Sequence, residues 1–255
     1  MRRLRTAIIV VLLGVVWGCA PTPTAPPPPG RLLSQPYDEP VLVAWGLGYA
    51  DTLPGALPFD IESRTRAESV RLIDSNQADL LITSGDPPTG WFATPLGRRA
   101  LAIIVHPDNP VRDLTSAEVG DLFSGKTPSW NAVGGDDLPV QPVLPLPDEP
   151  ARDRFEQVVL GAARPWPGTL LAPTPDAAVE TVRDDPGAIG VVPLEAATSD
   201  VRIIRLDGVL PGPATVANGR YPLTVDLIAT SPDEPAGALR DFLVWIESAG
   251  ANSGG

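Results

Sequence analysis

The stretch PLPDEPARDRFEQVVLG, residues 145–161, sets two carboxylates, Asp148 and Glu149, directly ahead of a helix start. A helix N-terminus attracts anions, because its free N–H groups and the aligned peptide dipoles point there. Phe155, Val158 and Val159 fall at i, i+3 and i+4, and Gly161 stops the run. Pro150 at the first helical position and Glu149 as cap make a start that needs no ligand, and Arg152, three residues on, can pair with Glu149. Glu149 is therefore a candidate self-occluding residue: the anion at this helix is expected to be the chain's own.

Two further loops carry oxyanion chemistry. Ser63 and Thr65, in Ser63-Arg64-Thr65-Arg66, offer hydroxyls before a helix, although Thr65 with Glu68 also has the spacing of a capping box. Thr83 and Ser84, in Thr83-Ser84-Gly85-Asp86, follow an apolar run. Arg64 and Arg66 rank below the hydroxyls, since most surface arginines are simply solvated. The single histidine, His106 in VHPDNP, has no evident Ser or Asp partner, and no spacing suggests a metal site. No catalytic residue, metal or cofactor is expected, and the chain is read as a binding protein rather than an enzyme.

The elements that must position these loops alternate. Residues 41–47 (VLVAWGL) and 59–63 (FDIES) read as strands, and 65–74 as a helix striped by Ala67, Val70 and Ile73. Residues 78–84 and 100–107 read as strands, the second ended by Pro107. LTSAEVGDLFSG holds a second capping box, Thr115 with Glu118, over an apolar face of Val119, Leu122 and Phe123. Residues 140–145 form a possible strand; TPDAAVETVRDDPG is a helix with Thr174 as cap and Pro175 at its first position. Residues 188–193, 201–208 and 221–231 read as strands, and 238–247 as a final helix buried through Leu239, Phe242, Leu243 and Ile246. Such alternation implies an α/β fold with largely parallel sheets, whose ligands sit at the carboxyl ends of strands.

The chain has 255 residues, 43% of them hydrophobic and 20% charged, enough for one large domain or two small lobes. A formal net charge of −12 leaves no electrostatic footprint for nucleic acid. Residues 1–18 read as an export signal: a basic MRRLR, then eleven residues, AIIVVLLGVVW, too short to span a bilayer at about 20 residues. Cys19, the only cysteine, follows in VWGCA, which resembles a bacterial lipobox with an unusually bulky Trp17. Residues 19–39 then form a lipidated cysteine and a tether, six of the nine residues at 21–29 being Pro. The expected location is extracytoplasmic, anchored to the membrane through Cys19.

Residues 101–135, LAIIVHPDNPVRDLTSAEVGDLFSGKTPSWNAVGG, carry a specific signature. Leu114-Thr115, Phe123-Ser124-Gly125-Lys126, Trp130 and Gly134-Gly135 follow a hinge-like strand, and RDRFEQVVLG, PGAIGVVPLEAA, LDGVLP and NGRYPLTVDLIAT follow in order. This closely resembles the periplasmic phosphate-binding proteins of ABC importers. The resemblance, over residues 40–248, implies a two-lobed periplasmic-binding-protein-like (type II) α/β fold with a strand hinge. Lobe one would span about 40–100 and 197–250, lobe two about 101–196, in a domain of 40–250. It also implies a monomer that closes on a small solute and delivers it to an ABC permease. Phe123 and Trp130 are framework. The ligand would meet Ser63, Thr65, Thr83, Ser84 and Arg152. One loop departs from the family: Ser-Gly-Thr-Arg is replaced by Glu149-Pro150-Ala151-Arg152, which keeps the Arg and loses both hydroxyls and the Gly. The expected function is a lipid-anchored solute-binding protein with a divergent ligand site. The alternative is an envelope sensor or interaction lipoprotein that kept the fold and lost phosphate binding.

Overall fold

The computed structural model describes residues 30–55 and 59–252. The signal segment, Cys19 and the Pro-rich run lie outside the described residues. Among the described residues, no helix is long and apolar enough to cross a membrane.

Lobe one opens with β1 (Gly30–Ser34), α1 (Glu39–Ala50), β2 (Phe59–Ser63), α2 (Arg66–Asp74) and β3 (Leu80–Thr83). β1 lies between β2 and β3, parallel to both. The next strand, β4 (Phe92–Val105), is fourteen residues long and belongs to both lobes. Lobe two holds β5 (Asp113–Leu114), α3 (Ser116–Phe123), β6 (Gln141–Pro145), α4 (Pro150–Phe155), β7 (Leu170–Ala172), α5 (Pro175–Asp184) and β8 (Ala188–Pro193). It continues through β9 (Arg202–Ile203), β10 (Arg205–Leu206) and α6 (Pro213–Ala217). β11 (Thr224–Ser231) and α7 (Gly237–Asn252) return to lobe one.

The sheet order is β2-β1-β3-β11-β4-β8-β6-β7, with β9 also on β4. Residues 92–100 of β4 pair antiparallel with β11, while residues 101–105 pair with β8. One strand thus serves two sheets, which is the strand hinge in physical form. The return crossing lies beside it: the Leu101 amide donates to the Leu223 carbonyl at 2.9 Å, and the buried Tyr221 hydroxyl donates to the Leu101 carbonyl at 2.8 Å.

The apolar run 100–105 is explained by this double duty. Leu101, Ile103 and Val105 pack on one face of lobe two with Phe123, Trp130, Leu144, Phe155 and Val191. Ala102 and Ile104 face the other way, onto Val143, Val182 and Val192. A strand covered on both faces reads as continuously apolar rather than alternating. The framework expectation for Phe123 and Trp130 matches their burial, 0% and 1% exposed. The helix starts follow their local signals: Thr115 and Glu118 form a reciprocal capping box, and Thr65 and Thr174 cap α2 and α5.

Three expectations are corrected. Residues 41–47 are not a strand but the middle of α1. The segment VLVAWGLGYA is apolar on every side, so its pattern lacks the period that separates helix from strand. The start is set by Asp38 at the cap position and a Pro in the first turn. The first strand is β1, inside the segment read as tether; Leu32 and Leu33 are fully buried on its opposite faces. Lastly, the chain re-enters lobe one near residue 224, not 197. β9 pairs with the lobe-two half of β4, and Ile204, Leu206, Val216 and Tyr221 are buried in the lobe-two core.

Candidate functional site

The carboxyl ends of β1 and β3 point at the junction of the lobes. The turn after β1, Gln35-Pro36-Tyr37-Asp38, is closed by the Asp38 amide donating to the Gln35 carbonyl at 2.9 Å. It leads into the N-terminus of α1, the position where the fold offers free amides. Asp38 is completely buried there. Its carboxylate accepts the Ser84 amide and the Ser84 hydroxyl, each at 2.8 Å, and pairs with the Arg99 guanidinium. Arg99 lies on β4 just before the crossing and also donates to the Tyr37 carbonyl at 2.7 Å. Arg99 Nε and Nη1 have no hydrogen-bond partner, and Glu195 of lobe two stands 4.0 Å from Nη1.

Thr83 is spent in the same way. Its hydroxyl donates to Gln35 Oε1 at 2.5 Å and accepts the Gly85 amide at 3.0 Å. Gln35 then reaches across the junction, with Nε2 3.5 Å from the Asp148 carbonyl. Tyr37 does the same, its hydroxyl 3.3 Å from the Ala172 carbonyl and 3.4 Å from that of Thr174, the α5 cap. Burial, with a smaller contribution from the Glu149 charge, pushes the Tyr37 phenol far above its usual value. At Gly85 a Cβ would sit 2.7 Å from Arg66 Nη1 and 3.1 Å from Pro150 Cγ, so glycine is what lets the two lobes' loops meet.

Glu149 enters this junction from lobe two. Asp148 precedes it with φ of 69°, a left-handed conformation that Asp tolerates better than most residues. Glu149 is only 5% exposed, although it belongs to a loop. As N-cap of α4 it makes no side-chain cap bond, and its Oε2 has no partner. Its carboxyl is pushed up to about 7, first by burial and then by the Asp38 charge; the Tyr37 amide opposes the shift and the Asp153 charge adds to it. The expected pairing with Arg152 does not form. Arg152 Nη1 donates to the Pro145 carbonyl at 3.0 Å, and Nε pairs with Glu156 at 2.7 Å.

The structure gathers Thr83, Ser84 and Glu149 around one turn. It does not bring Thr65 or Arg152 there. Thr65 is exposed and its hydroxyl accepts the Glu68 amide at 3.3 Å, as a cap. Arg152 borders a separate groove with Trp166 and Leu171. Ser63 pairs in register with Ser34 at the ends of β2 and β1, and both hydroxyls are buried without partners. Gln35, Tyr37, Asp38 and Arg99 were not foreseen. The signal was present in LLSQPYDEP: an apolar pair, a Ser-Gln-Pro turn, and Asp before Glu-Pro, which is a helix start.

Beside the junction lies a cleft of about 700 Å³ bordered by Arg66, Arg98 and Arg154 and by Asp86, Asp148, Asp153 and Asp226. Both signs are interspersed, so no uniform field draws in an anion. His106 accepts the Asp108 amide at 3.1 Å within its own turn. Among the described residues no group of three or more His, Cys, Asp or Glu side chains could hold a metal ion.

Residues 39–249 match the model of the PBP superfamily domain. The chain belongs to that superfamily. It is 30% identical over 149 residues to the phosphate-binding protein PstS of Bacillus subtilis (strain 168), a match covering 58% of this chain and 49%, about half, of that protein. Among solved structures it resembles a putative phosphate ABC transporter substrate-binding protein with bound phosphate from Clostridium perfringens. There the TM-score is 0.79 at 20% identity, covering 88% of this chain and 95% of the other. An ABC-type phosphate transport receptor from Vibrio cholerae matches with a TM-score of 0.65 at 19% identity, over 87% and 95% of the two chains. The two-lobed type II fold expected from the sequence is the fold found. The relatives are binding proteins and receptors, in line with the non-enzymatic reading.

Proposed function

We propose that this chain is a lipid-anchored, extracytoplasmic solute-binding protein of the phosphate-binding type, with its anion position filled by its own side chains. The observation that carries the reading is the burial of two carboxyl groups at the junction, Asp38 at the start of α1 and Glu149 at the start of α4, close enough for the Asp38 charge to act on Glu149. Ser84 and Thr83, the hydroxyl donors of lobe one, are already used by Asp38 and Gln35.

The magnitudes support exclusion of a phosphate dianion. A carboxylate about 4 Å from it costs roughly 1–4 kcal/mol per charge pair, depending on screening. Each lost hydrogen bond to a charged oxyanion costs about 1.5–3 kcal/mol more. Together these remove several powers of ten in affinity. The solute that suits this cleft carries less negative charge than phosphate, or bears a cationic group. Delivery would be to an ABC permease, as the relatives' names suggest for them.

The alternative, an envelope sensor or interaction lipoprotein that no longer binds phosphate, is favoured by the direct contacts of Gln35 and Tyr37 with lobe two. These bridge the lobes through the protein's own atoms at 3.3–3.5 Å.

Calorimetric titration of phosphate into the chain from Ala20 onward, purified without phosphate, tests the filled position. No binding heat at about 1 mM phosphate is expected, an affinity weaker than about 4 kcal/mol. A micromolar Kd would overturn it. Cross-linking in membranes then separates the two readings: capture of a permease supports transport, and its absence supports the sensor.

A further inference from the structure

The interlobe contact is built around a carboxyl group that nothing beside it neutralises. Asp38 and the Tyr37 amide face Glu149 from the start of α1, and Asp153 faces it from α4. The guanidinium bonded into this cluster, Arg99, is engaged by Asp38 and the Tyr37 carbonyl. Arg152, on the same helix start, is turned to Pro145 and Glu156. Arg66 lies near enough to act on Asp153. Glu149 is thus buried beside a fixed carboxylate, with an oxygen that has no partner.

We propose that Glu149 is a proton-operated latch between the lobes: its carboxyl enters the contact uncharged, and its ionisation opens the contact. The proposal rests on the reading of the junction as filled by the chain's own side chains, and adds how that filling is released.

Arg154 of α4 donates through Nε to the Thr224 carbonyl at 2.8 Å, where β11 enters lobe one. The Gln35 and Tyr37 contacts around Glu149 measure 3.3–3.5 Å, the long end of the hydrogen-bond range. Net, such bonds contribute little against the ionisation of a buried acid next to a second one. The direction follows from linkage. Closing takes up a proton, because the closed-state value lies at about 7 against an ordinary 4.5. The contact is therefore strongest below pH 4.5, weakens as pH rises, and has lost this contribution above about pH 7. Across that range the closed-to-open ratio falls on the order of a hundredfold.

The chain from Ala20 onward contains no cysteine. Cysteines introduced at exposed Arg71 of lobe one and Glu180 of lobe two carry spin labels for a distance measurement between pH 5 and 9. The expected result is one short distance at pH 5, with a longer population growing to dominance by pH 8. Glu149→Gln is expected to keep the short distance throughout. A wild-type distribution unchanged from pH 5 to 9 overturns the latch, and so does a Glu149→Gln protein that opens with the wild-type profile. The wild-type profile stands as a test even where the variant fails to fold. Phosphate titration at pH 5.5 and 8.5 keeps the two readings apart. Tight binding at both values removes the filled-site reading, while the distance profile alone decides the latch.

Discussion

Ser84 binds Asp38 twice, its amide to one carboxylate oxygen and its hydroxyl to the other, each at 2.8 Å. The loop after β3 is thereby fastened to the start of α1 by groups that would otherwise be free to hold an oxyanion. Arg99 bonds the same oxygen that accepts the Ser84 hydroxyl, so both carboxylate oxygens of Asp38 are engaged.

Asp38→Ala leaves the Arg99 guanidinium, with a side chain 6% exposed, buried with only the Tyr37 carbonyl and the distant Glu195 as partners. Breaking a buried pair from one side costs about 3–5 kcal/mol. Urea unfolding should show that loss in Asp38→Ala, whereas Ser84→Ala should lose only about 1.5–3 kcal/mol.

Restoring the family's loop tests the departure at α4. The triple change Glu149→Ser, Pro150→Gly and Ala151→Thr removes one carboxylate and returns two hydroxyls and an amide donor. Phosphate affinity should rise by about 3–6 kcal/mol, a hundredfold or more. Calorimetry at pH 7.5 reads it. An unchanged null titration would mean that Asp38 alone excludes the anion.

Glu149→Gln removes a group whose folded value is raised to about 7. A raised acid stabilises the folded form relative to its ionised state only at low pH, so the variant should gain little at pH 5. At pH 8 it should be more stable than wild type by about 1–3 kcal/mol. Thermal unfolding at the two pH values checks both sign and size.

Phe155 packs on Phe123 with ring centroids 4.6 Å apart and is fully buried. Phe155→Ala should cost about 3–5 kcal/mol by opening a cavity under α4. Denaturant midpoints measure this, and the phosphate titration should be unaffected if the loop survives.

Cys19 is proposed as the lipidated residue. Metabolic labelling with a radioactive fatty acid should mark the full-length chain and fail to mark Cys19→Ser, which should also leave the membrane fraction.

Much of this protein was legible along the chain, because its signals are local. The capping pairs Thr115 with Glu118 and Thr65 with Glu68 span three residues, and each starts a helix where expected. The run 100–105 announced a strand covered on both faces. The acid at Glu149 stands in the sequence where the resemblance implies hydroxyls.

Tertiary structure decided the rest, because those facts depend on partners distant in sequence. Arg99 meets Asp38 across 61 positions, and Thr83 meets Gln35 across 48. Residues 41–47 were misread because an all-apolar run has no period, and only packing against Phe242 and Ile246 of α7 shows which face is buried. Sequence determined that an acid stands at residue 149. The fold determined that it points inward beside Asp38 rather than pairing with Arg152, since burial and the turn at Asp148 set its direction.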